Sequence, residues 1–296
     1  MFTGCGTALV TPFRENLSLD EAALRANVRR QIDNGIDFLV PCGTTGESPT
    51  LTHDEHLRIV EITVEESAAR VPVLAGAGGY DTAKVISTIA ELEKLGVSGI
   101  LSVTPYYNKP TQEGLFQHFK AIAASTSLPI VLYSVQPRTN VNIDVATVVR
   151  LAAIPNIAGI KEASGSLSQV SSILARVPDS FVVLSGDDAV TIPVVALGGH
   201  GVISVVANQI PFDFSELTHA AMRGDYQKAR QLQRKYQALM EVNFIESSPG
   251  PVKFAMARMG LIEPAWRLPL VPPQPASQTK IECILEELGL IAGVRL

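Results

Sequence analysis

The sequence predicts an α/β fold, a (β/α)8 TIM barrel with a small C-terminal helical appendage. Three observations carry that reading. Short runs rich in Val, Ile and Leu recur eight times, at intervals of roughly 20–35 residues, the length of one βα unit. The runs are almost continuously apolar, as strands of a parallel sheet covered on both faces must be. The first run, GTALVT from Gly6, leads into Pro12-Phe13 without the glycine-rich turn that a doubly wound dinucleotide fold would place there.

In order, the runs are Gly6–Thr11, Asp37–Gly43, Pro72–Gly78, Gly99–Pro105, Pro129–Val135, Ile157–Ala163, Phe181–Asp187 and Gly201–Ala207. Helical periodicity fills the intervals. Leu24, Val28 and Ile32 share one face of Leu19–Asn34, and Val85, Ile89 and Leu92 share one face of Thr82–Leu95. Gly96 follows as a C-cap, and Thr52 to Glu55 spell a capping box. Beyond Ala207 no strong strand signal remains. Pro211–Arg223, Asp225–Val242, Pro251–Met259 and Gln278–Leu288 read as helices, with a Pro-rich connector at Pro269–Pro275. The chain therefore divides into a barrel, 1–224, and a C-terminal helical region, 225–296.

Composition excludes several classes. With 296 residues, 46% of them hydrophobic and 18% charged, the chain can bury a large core. No apolar run reaches the roughly 18–20 residues of a membrane span, and the start has no signal-peptide pattern. The formal net charge of −5 argues against nucleic-acid binding. Cys5, Cys42 and Cys283 lack metal or disulfide spacing and read as buried small hydrophobes in a reducing, cytoplasmic compartment. Metal chemistry is not predicted. His53 and His56 are three residues apart without an HExxH pattern, and read as exposed histidines beside the capping box.

In barrels of this kind the active site lies at the C-terminal ends of the strands. The eight runs contain no Arg and one Lys, Lys161. A lysine in an apolar strand is costly unless used, and a neutral lysine amine attacks carbonyls to form a Schiff base. The bland alternative is a lysine paired with Glu162 or Asp187, although Glu162, the next residue on the strand, should point to the opposite face. Gly43 to Ser48, GTTGES, offers backbone N–H groups and threonine hydroxyls to a small anion, but no Walker lysine. Tyr106, Tyr107 and Tyr133 at strand ends can relay protons or simply pack. Arg138 can clamp a carboxylate with two parallel hydrogen bonds or stand in solvent.

GTTGES (Gly43–Ser48), VTPYYNKP (Val103–Pro110), GIKEASG (Gly159–Gly165), LSGDD (Leu184–Asp188) and GGHGVISV (Gly198–Val205) together closely resemble the dihydrodipicolinate synthase family, pyruvate-dependent class I aldolases on a (β/α)8 barrel. The likeness runs from Met1 to at least Pro269. It implies a lyase of lysine and diaminopimelate biosynthesis, condensing pyruvate with L-aspartate 4-semialdehyde to 4-hydroxy-tetrahydrodipicolinate, with no cofactor. It implies that Lys161 forms the imine and Tyr133 moves protons. Thr44 and Tyr107 complete the relay, Tyr107 reaching in from a neighbouring subunit of a homotetramer. Thr45 would hold the pyruvate carboxylate, Gly186 and Ile203 would line the pyruvate pocket, and Arg138 would bind the second substrate.

Some residues depart from the family pattern. After the fifth strand the proline is shifted to Pro137 and a glycine is replaced by Asn140, a residue that tolerates the left-handed conformation. At the positions matching the family's L-lysine effector site (Ser48, Pro49, His53, His56, Tyr80, Lys84 and Tyr106), Tyr80 and Lys84 replace the usual Asn and Glu. Weak or absent inhibition by L-lysine is expected. The same resemblance leaves a sialic-acid lyase or keto-sugar-acid aldolase as an alternative within the superfamily, and a non-catalytic metabolite sensor as one of a different class.

Overall fold

In the computed structural model, which describes residues 2–292, the chain forms a parallel eight-stranded barrel. Its strands are β1 (Gly4–Ala8), β2 (Phe38–Val40), β3 (Leu74–Gly76), β4 (Gly99–Val103), β5 (Ile130–Ser134), β6 (Ile157–Glu162), β7 (Val182–Ser185) and β8 (Gly201–Ser204). The hydrogen-bonded order is β2-β1-β8-β7-β6-β5-β4-β3, and a parallel bridge between Leu39 and Val73 closes the circle. Met1 and residues 293–296, the ends of the expected barrel and helical regions, lie outside the described residues.

The helices are α1 (Glu21–Asp33), α2 (His53–Ser67), α3 (Thr82–Lys94), α4 (Gln112–Ala124), α5 (Gln136–Thr139), α6 (Val145–Ala152), α7 (Leu167–Leu174), α8 (Thr191–Ala196), α9 (Pro211–Met222), α10 (Tyr226–Val242), α11 (Gly250–Arg258) and α12 (Pro275–Glu287). Where the sequence marks a helix start, the structure places it within a few residues. Thr52 and Glu55 form the complete capping box of α2, and Asp20, Asp81 and Asp225 cap α1, α3 and α10 with their carboxylates. The first strand begins two residues before the predicted Gly6. Gly4 pairs with Gly201 so closely that a Cβ on Gly201 would sit 1.9 Å from the Gly4 carbonyl oxygen. Glycine is a weak strand former, so the pattern of apolar residues misses a strand end built on a glycine pair.

Strand alternation divides the core in two. Val131, Tyr133, Leu184 and Ile203 point into the barrel with Phe38 and Leu101. Ile130, Leu132, Ile160 and Val183 point outward against the helices. The C-terminal helices continue the outer layer: α10 packs on α9, and α12 on α10 and α11. Among the described residues no helix is long and apolar enough to cross a membrane. Two expectations are corrected here. Cys283 is exposed on the outer side of α12, while Cys5 and Cys42 are buried as expected. Of the two histidines in the first turn of α2, His56 is half-buried and only His53 is exposed.

Candidate active site

Lys161 is the inward residue near the C-terminal end of β6, in register with Tyr133 on β5 and Leu184 on β7. It is 5% exposed, and its Nζ lies 4.4 Å from the centroid of the Tyr133 ring. That is cation–π distance. Among the described residues no carboxylate reaches it. Both partners proposed by the bland alternative are occupied elsewhere. Glu162 points outward, accepting from the Ser164 N–H at 2.6 Å and from Gln169 Nε2 at 2.8 Å. Asp187 caps the following turn by accepting from the Ala189 N–H at 2.9 Å. Lys161 is thus a buried lysine without a counter-ion, held by a tyrosine face.

The backbone around it is cut to fit. Gly186 follows β7 and donates its N–H to the Glu162 carbonyl at 2.8 Å. A Cβ there would lie 2.5 Å from Ala163 Cβ and 3.1 Å from Lys161 Cε. Glycine at 186 therefore makes room for the lysine stem. Ile203, 1% exposed, closes the same interior layer from β8.

Above Tyr133 opens a cavity of about 450 Å³ whose walls include Thr44, Tyr133, Arg138, Thr139 and Tyr106. Lys161, Thr45, Gly186 and Ile203 are not among its walls, and Tyr133 is the link between the cavity and the lysine. Thr44 and Thr45 sit in the 3-10 turn Thr44–Gly46, entered through Gly43 and left through Glu47 in the left-handed region, φ 55°. The Thr11 hydroxyl donates to the Gly46 carbonyl at 2.7 Å and ties this turn to the loop after β1.

The loop after β5 resolves the effect of its unusual proline. Pro137 occupies the first turn of α5, where its missing N–H is harmless. Asn140 ends the helix in the left-handed region, φ 55°, and donates its N–H to the Gln136 carbonyl at 2.8 Å. The turn usually made by glycine is kept. Arg138 consequently faces the cavity, and its Nη2 donates to the Ser248 carbonyl oxygen at 3.1 Å.

The structure thus brings Lys161, Tyr133, Thr44, Thr45, Gly186, Ile203 and Arg138 to one end of the barrel. Tyr107 is different. It is 87% exposed, at φ 23°, and does not line the chain's own cavity, whereas Tyr106 does. The residues matching the effector site lie farther along the same cavity, with Tyr80 edge-on to Tyr106 at 5.3 Å and His53 beside Glu91 at 3.1 Å.

Sequence reasoning assigned no role to Asp188. This buried carboxylate accepts from the Val205 and Val206 N–H groups at 3.1 and 2.8 Å, fixing the end of β8 next to Ile203. Burial raises its pKa to about 6. LSGDD drew notice as a motif, but an acidic residue at a strand end carries no sign of which backbone it will hold.

A model of the dihydrodipicolinate synthetase family matches residues 1–288. The chain belongs to that family. Among relatives, it is 54% identical to the 4-hydroxy-tetrahydrodipicolinate synthase of Koribacter versatilis over 289 residues, covering 97% of this chain and 96% of that protein. The enzyme of the same name from Acidobacterium capsulatum is 50% identical over 291 residues, covering 98% and 96%. The crystal structure of dihydrodipicolinate synthase from Aquifex aeolicus superposes with a TM-score of 0.96 at 42% identity, covering 99% of this chain and all of the other. The barrel and C-terminal helices are therefore those of the family throughout.

Proposed function

We propose that the chain is a 4-hydroxy-tetrahydrodipicolinate synthase, a lyase of lysine and diaminopimelate biosynthesis that joins pyruvate to L-aspartate 4-semialdehyde. Family membership supports the reaction, and the observation that carries its mechanism is Lys161: buried, without a carboxylate partner among the described residues, and in contact with Tyr133. The Lys161 amine adds to the pyruvate ketone and loses water, leaving an imine. Nitrogen withdraws electrons, so the pyruvate methyl gives up a proton and becomes an enamine carbon. That carbon attacks the aldehyde of the second substrate. The substrate's own amine then adds to the imine carbon, expels Lys161 and closes the ring. Tyr133 moves protons to and from the bound substrate and Thr44 completes the relay; the contact of the Tyr133 ring with Lys161 and the place of both residues on the cavity wall support this reading.

The carboxylates need donors. Thr45 and the backbone of its turn serve pyruvate, and Gly186 and Ile203 line its pocket through backbone groups. Arg138 faces the cavity from α5 and clamps the aldehyde's carboxylate. Tyr107 serves a second subunit. Its exposure of 87% on the chain's own surface supports that role, and a homotetramer supplies the partner. The unpaired cysteines fit a cytoplasmic enzyme. A coupled assay with pyruvate and aspartate semialdehyde, run beside N-acetylneuraminate cleavage, tests the assignment. Turnover of the first pair alone is expected, and turnover of the sugar acid alone would reject it.

A further inference from the structure

The turn that carries Thr44 and Thr45 ends on Glu47, and Glu47 is an unusual residue for the place. Its φ of 55° and ψ of 35° put a non-glycine residue in the left-handed region, a conformation that persists only when the surroundings impose it. Its side chain is fully buried and paired, through Oε1, with Lys253 Nζ on α11. Lys253 is fully buried as well, and 206 residues separate the two in sequence. Net stability alone does not account for such a pair, since an apolar pair of similar volume is often as stable.

The pair belongs to a larger grip. Lys253 Nζ lies 4.4 Å from the centroid of the Phe13 ring, and the Arg267 guanidinium 4.1 Å from the same centroid. Arg267 donates to the Thr50 carbonyl at 3.0 Å and forms a double contact with the Glu55 carboxylate, at 2.7 and 2.5 Å. The C-terminal region therefore holds the segment after β2 at both ends, Glu47 and Glu55. Ser248, just before α11, accepts through its carbonyl from Arg138 Nη2 at 3.1 Å. One helical appendage touches both loops that face the substrates.

We infer that Glu47 and Lys253 are positioning residues, a buried strut through which the C-terminal helices set the Thr44–Thr45 turn and hence the affinity for pyruvate. The inference rests on the reading that this turn holds the pyruvate carboxylate. The left-handed Glu47 is the mechanical link: its backbone N–H closes the turn on the Thr44 carbonyl at 3.1 Å, while its side chain is anchored to α11. Releasing the anchor lets the turn relax and moves the donors away from the substrate. Misplacement on the order of 1 Å costs about 100-fold in a positioned reaction, so a partial relaxation raises the pyruvate KM by about 10-fold.

The test uses the full chain with three variants: Lys253→Met, the double variant Glu47→Gln with Lys253→Met, and Glu47→Asp. Steady-state kinetics in each substrate are read beside the melting temperature and borohydride trapping of pyruvate. Lys253→Met leaves a lone buried carboxylate and should lose stability. The double variant leaves no unpaired charge and should regain most of the melting temperature, yet keep the pyruvate KM raised about 10-fold, with the aldehyde KM within about 3-fold of wild type. Glu47→Asp retains both charges and folds, but can keep the pair only by moving the turn, so its pyruvate KM also rises. A double variant in which pyruvate KM recovers together with melting temperature would make the pair merely structural. A wild-type pyruvate KM in Glu47→Asp would overturn the strut, even if the other two variants failed to fold. Trapping separates the layers. If wild-type Lys161 is not labelled, the pyruvate site itself is misread; if it is labelled and the variants keep wild-type KM, the strut alone fails.

Discussion

Replacing Gly186 by alanine adds one methyl group at the most crowded point beside Lys161. The new Cβ would stand 2.5 Å from Ala163 Cβ, 3.1 Å from Lys161 Cε and 3.2 Å from the Glu162 carbonyl oxygen. Nothing at the first contact can swing away, because Ala163 has only its Cβ and the Glu162 oxygen is backbone. The strand ends of β6 and β7 must separate by several tenths of an ångström, or Lys161 must leave its place over the Tyr133 ring. Overpacking of this kind costs about 1–3 kcal/mol. If half of that strain is relieved by moving the lysine, the amine shifts by a good part of an ångström, and imine formation slows by about 100-fold. Stopped reactions with pyruvate and borohydride, followed by intact-protein mass, give the trapping rate. Steady-state kinetics and a melting curve accompany them. The expected result is a trapping rate reduced by about 100-fold, with a melting temperature lowered by only a few degrees. Wild-type trapping in a folded Gly186→Ala protein would show that the glycine does not govern the lysine's position.

Other consequences are sharper in sign than in size. Arg138→Ala should lower kcat/KM for aspartate semialdehyde by about 100-fold while pyruvate trapping on Lys161 stays near wild type; an unchanged kcat/KM would remove Arg138 from its role. L-lysine should inhibit weakly or not at all, because the exposed Lys84 puts a like charge, and Tyr80 a ring, where an effector amine would bind. Half-inhibition below about 1 mM, roughly −4 kcal/mol of binding, would contradict this. His118, buried on α4 with Nδ1 2.8 Å from Thr82 Oγ1, has its pKa pushed down by burial to about 4. The unfolded chain takes up that proton first, so stability is full above pH 6.5 and falls toward pH 4, by at most about 3 kcal/mol. Denaturant unfolding from pH 7 to pH 4 should show a slope that His118→Gln flattens; an equal slope in both proteins would assign the loss to other groups.

Much of this was legible before any coordinates. Period-two alternation around Lys161 places Ile160 and Glu162 on one face and the lysine on the other, and the structure keeps that division down to the outward contact of Glu162 with Gln169. The capping box at Thr52 and the left-handed turn at Asn140 are local chemistry, so they too were readable, although the short helix that Asn140 ends was not. What could not be read depends on distant parts of the chain or on another copy of it. Glu47 and Lys253 are ordinary surface residue types by composition, and only the fold buries them against each other. Asp188 finds backbone donors seventeen and eighteen residues away. Tyr107 does not line its own chain's cavity, and the role proposed for it would need a second subunit.

Trapping with pyruvate and borohydride decides whether Lys161 is the nucleophile. Incubation of the intact protein with both reagents, then proteolysis and tandem mass spectrometry, locates any reduced adduct. One reduced pyruvate is expected on the peptide that contains Lys161, with none in the absence of pyruvate and none in Lys161→Ala. An adduct on Lys253, Lys109 or Lys84 with Lys161 unmodified, or normal turnover by Lys161→Ala, would contradict it.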